Sequence, residues 1–389
     1  MLQFWIGLED NLPIRRTASD TRTFSLHVLS GSGFGKPYSF QKSGEPPKPG
    51  HMFNYRDSLA LILENSLLIL IFGPKFLTKK FLPRSWLRIG QATVDFKYYI
   101  TEMVNDEKLA ISQGKIRGAN ITNSLIRASE EMSQSAGKTG DKDLQVIRGL
   151  TEGEIYGNIF VYNFAGHNTT ALTLNSTLHL LAAYPKVQDW ISEEINNVVK
   201  DDHISTWNYN DIYPQLNRCL AVLLETVRLW NPLIGIAKCT SASQQLMVDG
   251  KDLTIPPNTR VIPNINAVHA HPRYWGSDGL VWRPDRWILS KSGPGTSLER
   301  EYLRTPPKGA YVPWSEGARA CPGKKFAQVE FVAAIVSLFR SHRVEVVPEN
   351  GDSKAEAQKR SLKAVQDSRI VLLLQMNNPE SIGLRWVEV

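Results

Sequence analysis

One cysteine, at the start of a predicted helix, is the residue of this chain best suited to chemistry. Cys321 precedes Pro322 and Gly323, and apolar residues at helical spacing follow from Phe326 onwards. The dipole and the free backbone amides at a helix N-terminus lower the pKa of a thiol and favour its thiolate form. The position therefore predicts a thiolate at Cys321, and an unreactive buried cysteine in a tight turn is the alternative.

The residues around Cys321 favour a bulky ligand that carries carboxylates. Arg319 precedes the sulfur by two residues, and its forked guanidinium can hold a carboxylate. Gly317 permits a turn that residues with a β-carbon resist, and Gly323 lets the chain pass close to a ligand. A thiolate beside an anion-binding arginine fits a haem with its propionates.

A second candidate site lies inside a long predicted helix. Thr151 and Glu154 match a capping box at its start, and no proline interrupts the sequence before Pro185. Such a helix spans roughly 51 Å at about 1.5 Å per residue. We therefore expect it to cross a whole domain and to have its middle deep in the core.

The middle of that helix has an unusual composition for a core position. Residues 165–170 read Ala-Gly-His-Asn-Thr-Thr, and glycine costs about 1 kcal/mol relative to alanine inside a helix. Ala165 and Gly166 leave room for a flat ligand near the backbone, and Thr169 can bond back to a carbonyl and open the helix locally. A packing site that tolerates small residues is the alternative.

A pair of opposite charges lies within the apolar stretch Leu220–Leu229. Glu225 and Arg228 are at positions i and i+3 and share one face of the predicted helix, so they can form an ion pair. The surrounding leucines predict that the pair is buried, where loss of one partner costs roughly 3–5 kcal/mol. An arginine of the stretch Arg283–Trp287 can complete a cluster of three.

The composition indicates a folded protein that does not bind nucleic acid. The chain has 389 residues, 42% of them hydrophobic, as is ordinary for a globular protein with a large core. The net charge is +7, but the basic residues are scattered, so an acidic membrane or protein surface fits better than nucleic acid. Three cysteines exclude a disulfide framework.

Helical patterns dominate up to residue 235, and short strands and turns are predicted over 246–290.

One apolar segment and four other stretches complete the predicted organisation. The apolar segment Leu59–Phe72 is too short and too interrupted to cross a bilayer. Lys75, Lys79 and Lys80 follow it and would suit a helix in the membrane interface, but a core helix is the preferred interpretation. The glycines at 31–35 do not match a phosphate-binding loop. The stretches predicted as turns or loops are 31–35, 133–142, 291–300 and 349–363.

Together, these motifs resemble the cytochrome P-450 family and occur in its order along the chain. The corresponding stretches are Ala165–Thr170 for Ala-Gly-x-acid-Thr-Thr, Glu225–Arg228 for Glu-x-x-Arg, Pro284–Trp287 for Pro-Glu-Arg-Phe, and Trp314–Gly323 for Phe-x-x-Gly-x-Arg-x-Cys-x-Gly. Within this family, the sequence resembles the fungal microsomal members. The resemblance implies one domain over residues 1–389, mainly α with a small β subdomain.

The resemblance implies a cofactor and the residues that bind it. Cys321 would be the proximal thiolate ligand of the iron of haem b, that is, iron protoporphyrin IX, and Arg319 would hold a propionate. Trp314, Gly317 and Gly323 would complete the cofactor-binding loop.

The resemblance also implies roles for the other two motifs. The residues expected at the catalytic, oxygen-binding side are Ala165, Gly166, Asn168 and Thr169. The residues expected to form a structural ion cluster beneath the haem are Glu225, Arg228 and Arg286.

The reaction implied is the insertion of one oxygen atom from O2 into a small hydrophobic substrate. The electrons would come from NADPH through NADPH–cytochrome P-450 reductase. The family further implies residence at the endoplasmic reticulum membrane, with a peripheral membrane contact; a cytoplasmic location is the alternative.

Several positions depart from the family pattern. Asn168 replaces the usual acid before Thr169, and an amide can position water but cannot relay a proton. Trp287 and Trp314 replace the usual phenylalanines, and Asp285 replaces the usual glutamate. We also expect the chain to lack the family's opening portion, which holds the membrane anchor, the first strands and a helix with a tryptophan and an arginine.

Two other hypotheses stay open at the level of the sequence. The first is a catalytically silent remnant of the family, with or without bound haem. The second is an enzyme with a cysteine nucleophile, in which His269, His271 or His342 would be the base that ionises Cys321.

Overall fold

The computed structural model describes residues 1–389 except residues 8–11, 36–39, 41–45, 116–119, 137–148, 202 and 350. This part of the chain is mainly α-helical with small antiparallel sheets, which confirms the predicted fold class. It divides into two compact units, one formed by Met1–Arg22 with Thr169–Val389 and the other by Thr23–Asn168. The single domain that the resemblance implies stays a prediction.

The α-helices of the described chain are numbered in sequence order. They are α1 (Leu2–Ile6), α2 (Thr17–Val28), α3 (Tyr55–Glu64), α4 (Ser66–Phe72), α5 (Pro74–Leu77), α6 (Arg84–Ser112), α7 (Ile121–Ala136), α8 (Glu152–Ala183), α9 (Pro185–Val198), α10 (Tyr209–Ile212), α11 (Asn217–Leu229), α12 (Ile265–Ala270), α13 (Pro272–Trp275), α14 (Ser297–Arg300), α15 (Lys324–Phe339) and α16 (Lys354–Gln366).

The strands of the described chain form antiparallel pairs in the first unit. The pairs are β1 (Lys238–Cys239) with β4 (Arg260–Val261), β2 (Gln244–Val248) with β3 (Lys251–Ile255), β5 (Ile288–Ser290) with β6 (Glu301–Leu303), β7 (His342–Val346) with β10 (Leu384–Glu388), and β8 (Ser368–Ile370) with β9 (Leu374–Met376). Short strands over 246–290 are thus observed, together with helices α12 and α13 that the prediction omitted.

Helix α11 lies in the core of the first unit and carries the predicted ion pair. Every residue from Ala221 to Arg228 is buried. Apolar side chains on several faces explain this, because a helix that is hydrophobic nearly all round is covered on all sides. The charges of Glu225 and Arg228 are therefore enclosed by the fold and need partners inside it.

Helix α16 corrects the predicted loop over 349–363. Ser353 and Glu356 form a capping box at its start. Ala357, Ser361 and Val365 are buried and lie four residues apart, so they form one inward stripe on a helix whose other faces are polar. The high charge of the segment had suggested a solvated loop, but charge on the outer faces is compatible with a helix.

The three other loop predictions are correct only in part. Residues 291–300 end in helix α14, which has a capping box formed by Thr296 and Glu299. Helix α7 continues to Ala136, and the remainder of the stretch 133–142 lies outside the described residues. The glycine-rich turn contains a π-helical segment, Leu29–Gly33, that directly continues helix α2.

The apolar segment Leu59–Phe72 forms α3 and α4, and α4 does not lie in a core as predicted. Leu67, Leu70 and Ile71 are 55%, 63% and 65% exposed. Asn65 ends α3 and separates the two helices. Among the residues that the structure describes, no helix combines the length and the apolar character that crossing a bilayer requires.

Candidate functional site

Cys321 lies in a tight loop before helix α15, where the sequence predicts it. The loop contains a 3₁₀ turn at Gly317–Arg319, and the backbone N–H of Cys321 donates to the carbonyl oxygen of Trp314 at 2.8 Å. Cys321 is a free and exposed cysteine. Its sulfur is therefore accessible to a ligand just before the N-terminus of a long helix.

Two glycines and a serine determine the backbone path of this cysteine loop, which we define as residues 314–323. Gly317 and Ser315 have φ angles of 79° and 60°, in the left-handed region that favours glycine. A β-carbon at Gly323 would lie 3.8 Å from the sulfur of Cys321. A β-carbon there would thus be in van der Waals contact with the sulfur, and glycine leaves that side of the sulfur free.

Positive charge lies on the cysteine loop and beside it. Arg319 is exposed on the loop, and the ammonium group of exposed Lys238 donates to the hydroxyl of Ser315 at 3.1 Å. Lys238 was not predicted from the sequence, because it lies in β1 and is separated from Ser315 by 77 positions. An accessible sulfur in a loop that carries one cation and contacts another suits a ligand with a metal that binds thiolate and with carboxylates, so these residues fit a haem.

The other two cysteines have different surroundings. Cys219 is fully buried in α11, and burial raises the pKa of its thiol well above the ordinary value. Cys239 is exposed in β1, where its thiol contacts the carbonyl oxygen of Thr240. Neither lies in a glycine-rich loop before a helix, so Cys321 is the candidate ligand.

Helix α8 begins at the predicted capping box. A carboxylate oxygen of Glu154 accepts the backbone N–H of Thr151 at 2.7 Å, and the Thr151 hydroxyl accepts the N–H of Glu154 at 3.3 Å. The helix then continues for 32 residues. The boundary between the units falls between Asn168 and Thr169, so the predicted oxygen-binding residues belong to both units.

The middle of α8 is buried on one face only, which corrects the prediction that it lies deep in the core. Asn163, His167 and Thr170 are buried, whereas Val161 and Ala165 are exposed. Residues four apart share a helix face, so the exposed face carries Val161 and Ala165. Polar residues on the buried face and apolar ones on the exposed face reverse the usual pattern, and the length of the helix, from which a deep position was predicted, contains no information about which face is covered.

The predicted open space at Gly166 is occupied by another part of the second unit. A β-carbon at Gly166 would lie 3.1 Å from a methyl group of Leu29. The glycine therefore permits close packing of Leu29 against the helix. At the next turn, the Thr173 hydroxyl donates to the carbonyl oxygen of Thr169 at 2.9 Å, a side-chain contact of the kind that bends helices.

The structure brings Glu225, Arg228 and Arg286 together. Nε of Arg228 lies 2.8 Å and Nε of Arg286 2.9 Å from the Glu225 carboxylate, and Glu225 and Arg228 are 0% exposed. Burial lowers the pKa of Arg286, but the Glu225 carboxylate raises it, and the net shift is upward. Asp278 pairs with Arg286 at 3.3 Å and with the exposed side chain of Arg283 at 3.1 Å, so Arg286 has two carboxylate partners.

Two further donors to Glu225 were missed by the sequence analysis. The indole N–H of Trp287 donates to one carboxylate oxygen at 2.9 Å, and the backbone N–H of Arg283 donates to the other at 2.9 Å. Among the described residues, the carboxylate thus accepts five hydrogen bonds, three of them from the arginine side chains. Trp287 was considered only as bulk in place of phenylalanine, so its polar atom was overlooked.

Two of the three histidines proposed as bases for a cysteine nucleophile, His269 and His271, have other partners, and His342 lies in β7 opposite Glu388 of β10. His269 is fully buried, burial lowers its pKa to about 4, and both ring nitrogens contact backbone groups of other residues. Nδ1 of His271 accepts the backbone N–H of Arg273 at the start of α13. These contacts weaken the hypothesis of a cysteine nucleophile.

Comparison with protein families and curated relatives gives one consistent result. The family model described as cytochrome P450 (here written P-450) matches residues 20–372. A cytochrome P-450 monooxygenase of Arthrobotrys oligospora is 30% identical over 96% of this chain and 66% of its own length. A second relative, the cytochrome P-450 monooxygenase of the phomenoic acid biosynthesis cluster of Leptosphaeria maculans, is 28% identical over 86% of this chain and 59% of its own length.

A solved structure agrees with the sequence relatives on the fold. The crystal structure of a cytochrome P-450 matches 96% of this chain and 68% of its own length, with a TM-score of 0.63 and 19% sequence identity. The chain spans about two thirds or less of the length of the two curated relatives described above, which are 66% and 59% covered.

Proposed function

The chain belongs to the cytochrome P-450 family, and we propose that it is a monooxygenase that inserts one oxygen atom of O2 into a small hydrophobic substrate. Members of this family are haem-thiolate enzymes that bind haem b. The observation that carries the proposal is the exposed sulfur of Cys321, in a loop with the family's cysteine motif and beside the exposed cation Arg319.

Four residues of the cysteine loop and neighbouring Lys238 have proposed roles in holding haem b. Cys321 would supply the thiolate ligand of the iron, and Arg319 with Lys238 would supply positive charge for the propionates. Gly317 permits the left-handed turn of the loop, and Gly323 keeps a side chain away from the sulfur. Bound haem would supply the activation of O2, which a thiolate ligand favours by donating electron density.

The proposed oxygen-binding side consists of residues from the middle of α8, namely Ala165, Gly166, Asn168 and Thr169. The exposed face at Ala165 leaves the helix accessible to an apolar substrate. The amide of Asn168 can orient a water molecule but has no acidic proton to release. The hydroxyl of Thr169 can donate and accept a hydrogen bond at once, so it is the neighbouring group that can pass a proton onward.

The proposed electron donor is NADPH, acting through NADPH–cytochrome P-450 reductase. Exposed basic side chains surround the cysteine loop and the start of α15, namely Lys238, Arg319, Lys324 and Lys325. Such a basic surface attracts an acidic protein partner and speeds its association.

We propose a peripheral contact with the endoplasmic reticulum membrane through α4. Exposed Leu67, Leu70 and Ile71 are followed by exposed lysines at 75, 79 and 80, a combination that suits the surface of a membrane with anionic lipids. Cosedimentation with phosphatidylcholine and phosphatidylserine vesicles should fall in Ile71→Ser. It should be unchanged in Leu280→Ser, which alters a leucine of the other unit that is even more exposed than Ile71, 79% against 65%.

The absorbance spectrum of the purified chain with haem tests the proposed ligand. The reduced protein under carbon monoxide should show the long-wavelength Soret band that a thiolate ligand produces. Cys321→Ala should abolish this band, and Cys239→Ala, which alters the other exposed cysteine, should retain it. A wild-type chain that binds no haem, or binds it without this band, would contradict the proposal.

A haem-binding protein without turnover is the second candidate function, and Asn168 is the observation that favours it. If the absent acid limits proton delivery, Asn168→Asp should increase the product formed per NADPH consumed. Equal coupling in both proteins would mean that protons arrive by another route. Absence of product in both, with haem bound, would favour the silent protein.

A further inference from the structure

The segment that leads into the cysteine loop is tied to helix α11. The hydroxyl of Tyr311 donates to the carbonyl oxygen of Leu224 at 2.9 Å. The side-chain amide of Asn231, just after the helix, donates to the carbonyl oxygen of Pro313 at 3.3 Å. Both contacts lie within the first unit, so the helix with the ion cluster also holds the start of the cysteine loop.

His269 forms a third connection between these elements, and its geometry determines where its proton lies. The backbone N–H of Val312 lies 2.9 Å from Nε2 of His269, and a backbone N–H can only donate. Nε2 must therefore accept, and the proton of the neutral ring lies on Nδ1. Nδ1 lies 3.2 Å from the carbonyl oxygen of Arg228, which can only accept. One neutral tautomer thus satisfies both contacts.

The surroundings of His269 keep the imidazole neutral. Its ring is fully buried. Burial lowers the pKa of the imidazole and so does the charge of the Arg228 guanidinium, whereas the hydrogen bond to the Arg228 backbone raises it. The net result is a pKa of about 4. The ring of Tyr311 lies 5.2 Å from it. A protonated ring would place a second N–H against the N–H of Val312, so the neutral form is the one that fits.

Backbone hydrogen bonds continue from Val312 to the sulfur-bearing residue. The N–H of Ser315 donates to the carbonyl oxygen of Val312 at 3.0 Å, and the N–H of Cys321 donates to the carbonyl oxygen of Trp314 at 2.8 Å. The conformation at Val312 therefore bears on the turn at Ser315 and on the closure of the loop at Cys321.

We propose that His269 is a positioning residue for the cysteine loop, whose Nδ1–H tautomer links the carbonyl of Arg228 to the amide of Val312. Its consequence for iron ligation rests on the proposed function. The link itself is a property of the chain, so it can be tested without haem.

Matched substitutions separate this role from simple filling of the core. In His269→Gln, the terminal amide reaches the place of Nε2 and can accept from Val312. In His269→Asn, the shorter amide reaches the place of Nδ1 and can donate only to Arg228. His269→Phe keeps a ring of similar volume and makes neither bond.

Hydrogen–deuterium exchange over residues 311–321 of the haem-free chain is the first readout. The Val312 amide should exchange about tenfold faster in His269→Asn and His269→Phe than in wild type, because it loses its acceptor. His269→Gln should remain close to wild type. Equal protection in all four proteins would overturn the proposal. An equal loss of protection in His269→Gln and His269→Asn throughout the first unit would also overturn the proposal, because His269 would then only fill the core.

The carbon monoxide spectrum of the haem-loaded proteins is the second readout. Wild type and His269→Gln should retain the thiolate-type band, and His269→Asn should lose part of it to a shorter-wavelength form. A full thiolate band in His269→Asn despite faster exchange would overturn the influence on ligation. Absence of the band in wild type would contradict the proposed function instead, and the exchange result would stand independently.

Discussion

The ion cluster around Glu225 and the cysteine loop around Cys321 belong to the same unit and both derive from recognisable motifs, yet they use their polar groups differently. Glu225 is 0% exposed and its carboxylate is surrounded by donors from two arginines, an indole and a backbone amide. Cys321 is exposed, and the neighbouring Gly323 leaves its sulfur uncovered.

This difference separates residues that hold the fold from residues that can bind a ligand. A buried charge without partners is costly, so both oxygens of a buried carboxylate need hydrogen-bond donors if the cluster is to be stable. A ligand-binding atom must instead keep an accessible face. The two regions should therefore respond to substitution in opposite ways: the cluster through stability, the loop through haem binding.

The largest expected effect is that of Arg228→Ala. It removes two donors from the buried Glu225 carboxylate, and loss of one partner of a buried pair costs about 3–5 kcal/mol in the free energy of unfolding. Arg319→Ala removes a charge of the same type from the exposed loop and should cost less than about 0.5 kcal/mol. Urea denaturation of the two variants measures the difference, and similar losses would refute the contrast.

Glu194 extends the comparison to the other end of α11. This buried residue of α9 accepts the backbone N–H groups of Arg218 and Cys219, and burial raises its pKa to about 7 in spite of those bonds. The folded protein then binds a proton that the unfolded chain releases near its ordinary pKa of 4.5. The contribution of Glu194 to stability is therefore full below pH 4.5 and is lost as the pH rises to 7.

Glu194→Gln should remove this pH dependence. Buried His179 and His269 act in the opposite sense, because their lowered pKa values near 4 make stability rise with pH. The readout is consequently the difference in unfolding free energy between wild type and variant, which should change by about 3 kcal/mol between pH 4.5 and 7. A difference that is constant with pH would mean that Glu194 is ionised throughout this range.

The parts of these regions that were predictable from sequence are those fixed by short-range geometry. Glu225 and Arg228 share a face because they are at positions i and i+3, and the Thr151 capping box marks the start of α8 because its partners are also three residues apart. The fold class followed from the dominance of helical periodicity. Such signals depend only on neighbouring residues.

The parts that could not be predicted depend on packing between distant segments. Lys238 meets Ser315 across 77 positions, and nothing in either local sequence indicates it. Leu29 occupies the space left by Gly166. Helix α16 was missed for a different reason: its capping box at Ser353 was readable, but the charge of the segment was given more weight.

Trp287→Phe tests the donor that distinguishes this cluster from the family pattern. The substitution removes an indole N–H from an ionised carboxylate and should cost about 2 kcal/mol. Trp282→Phe is the matched control, because this buried indole donates to the neutral hydroxyl of Thr226, a bond worth about half as much. Equal losses of unfolding free energy in the two variants would show that ring volume, rather than the charged bond, stabilises the cluster.

Lys238→Met should have the smallest effect on stability. The ammonium group of Lys238 is exposed, so its bond to Ser315 competes with water, and its loss should change the unfolding free energy by less than about 0.5 kcal/mol. Haem affinity should fall nonetheless, because one of the two cations proposed for the propionates is removed. Titration with haem, monitored by absorbance, measures that affinity. If stability fell by about 2 kcal/mol while affinity stayed constant, Lys238 would be holding the fold, and the cysteine loop would resemble the ion cluster more than it differs from it.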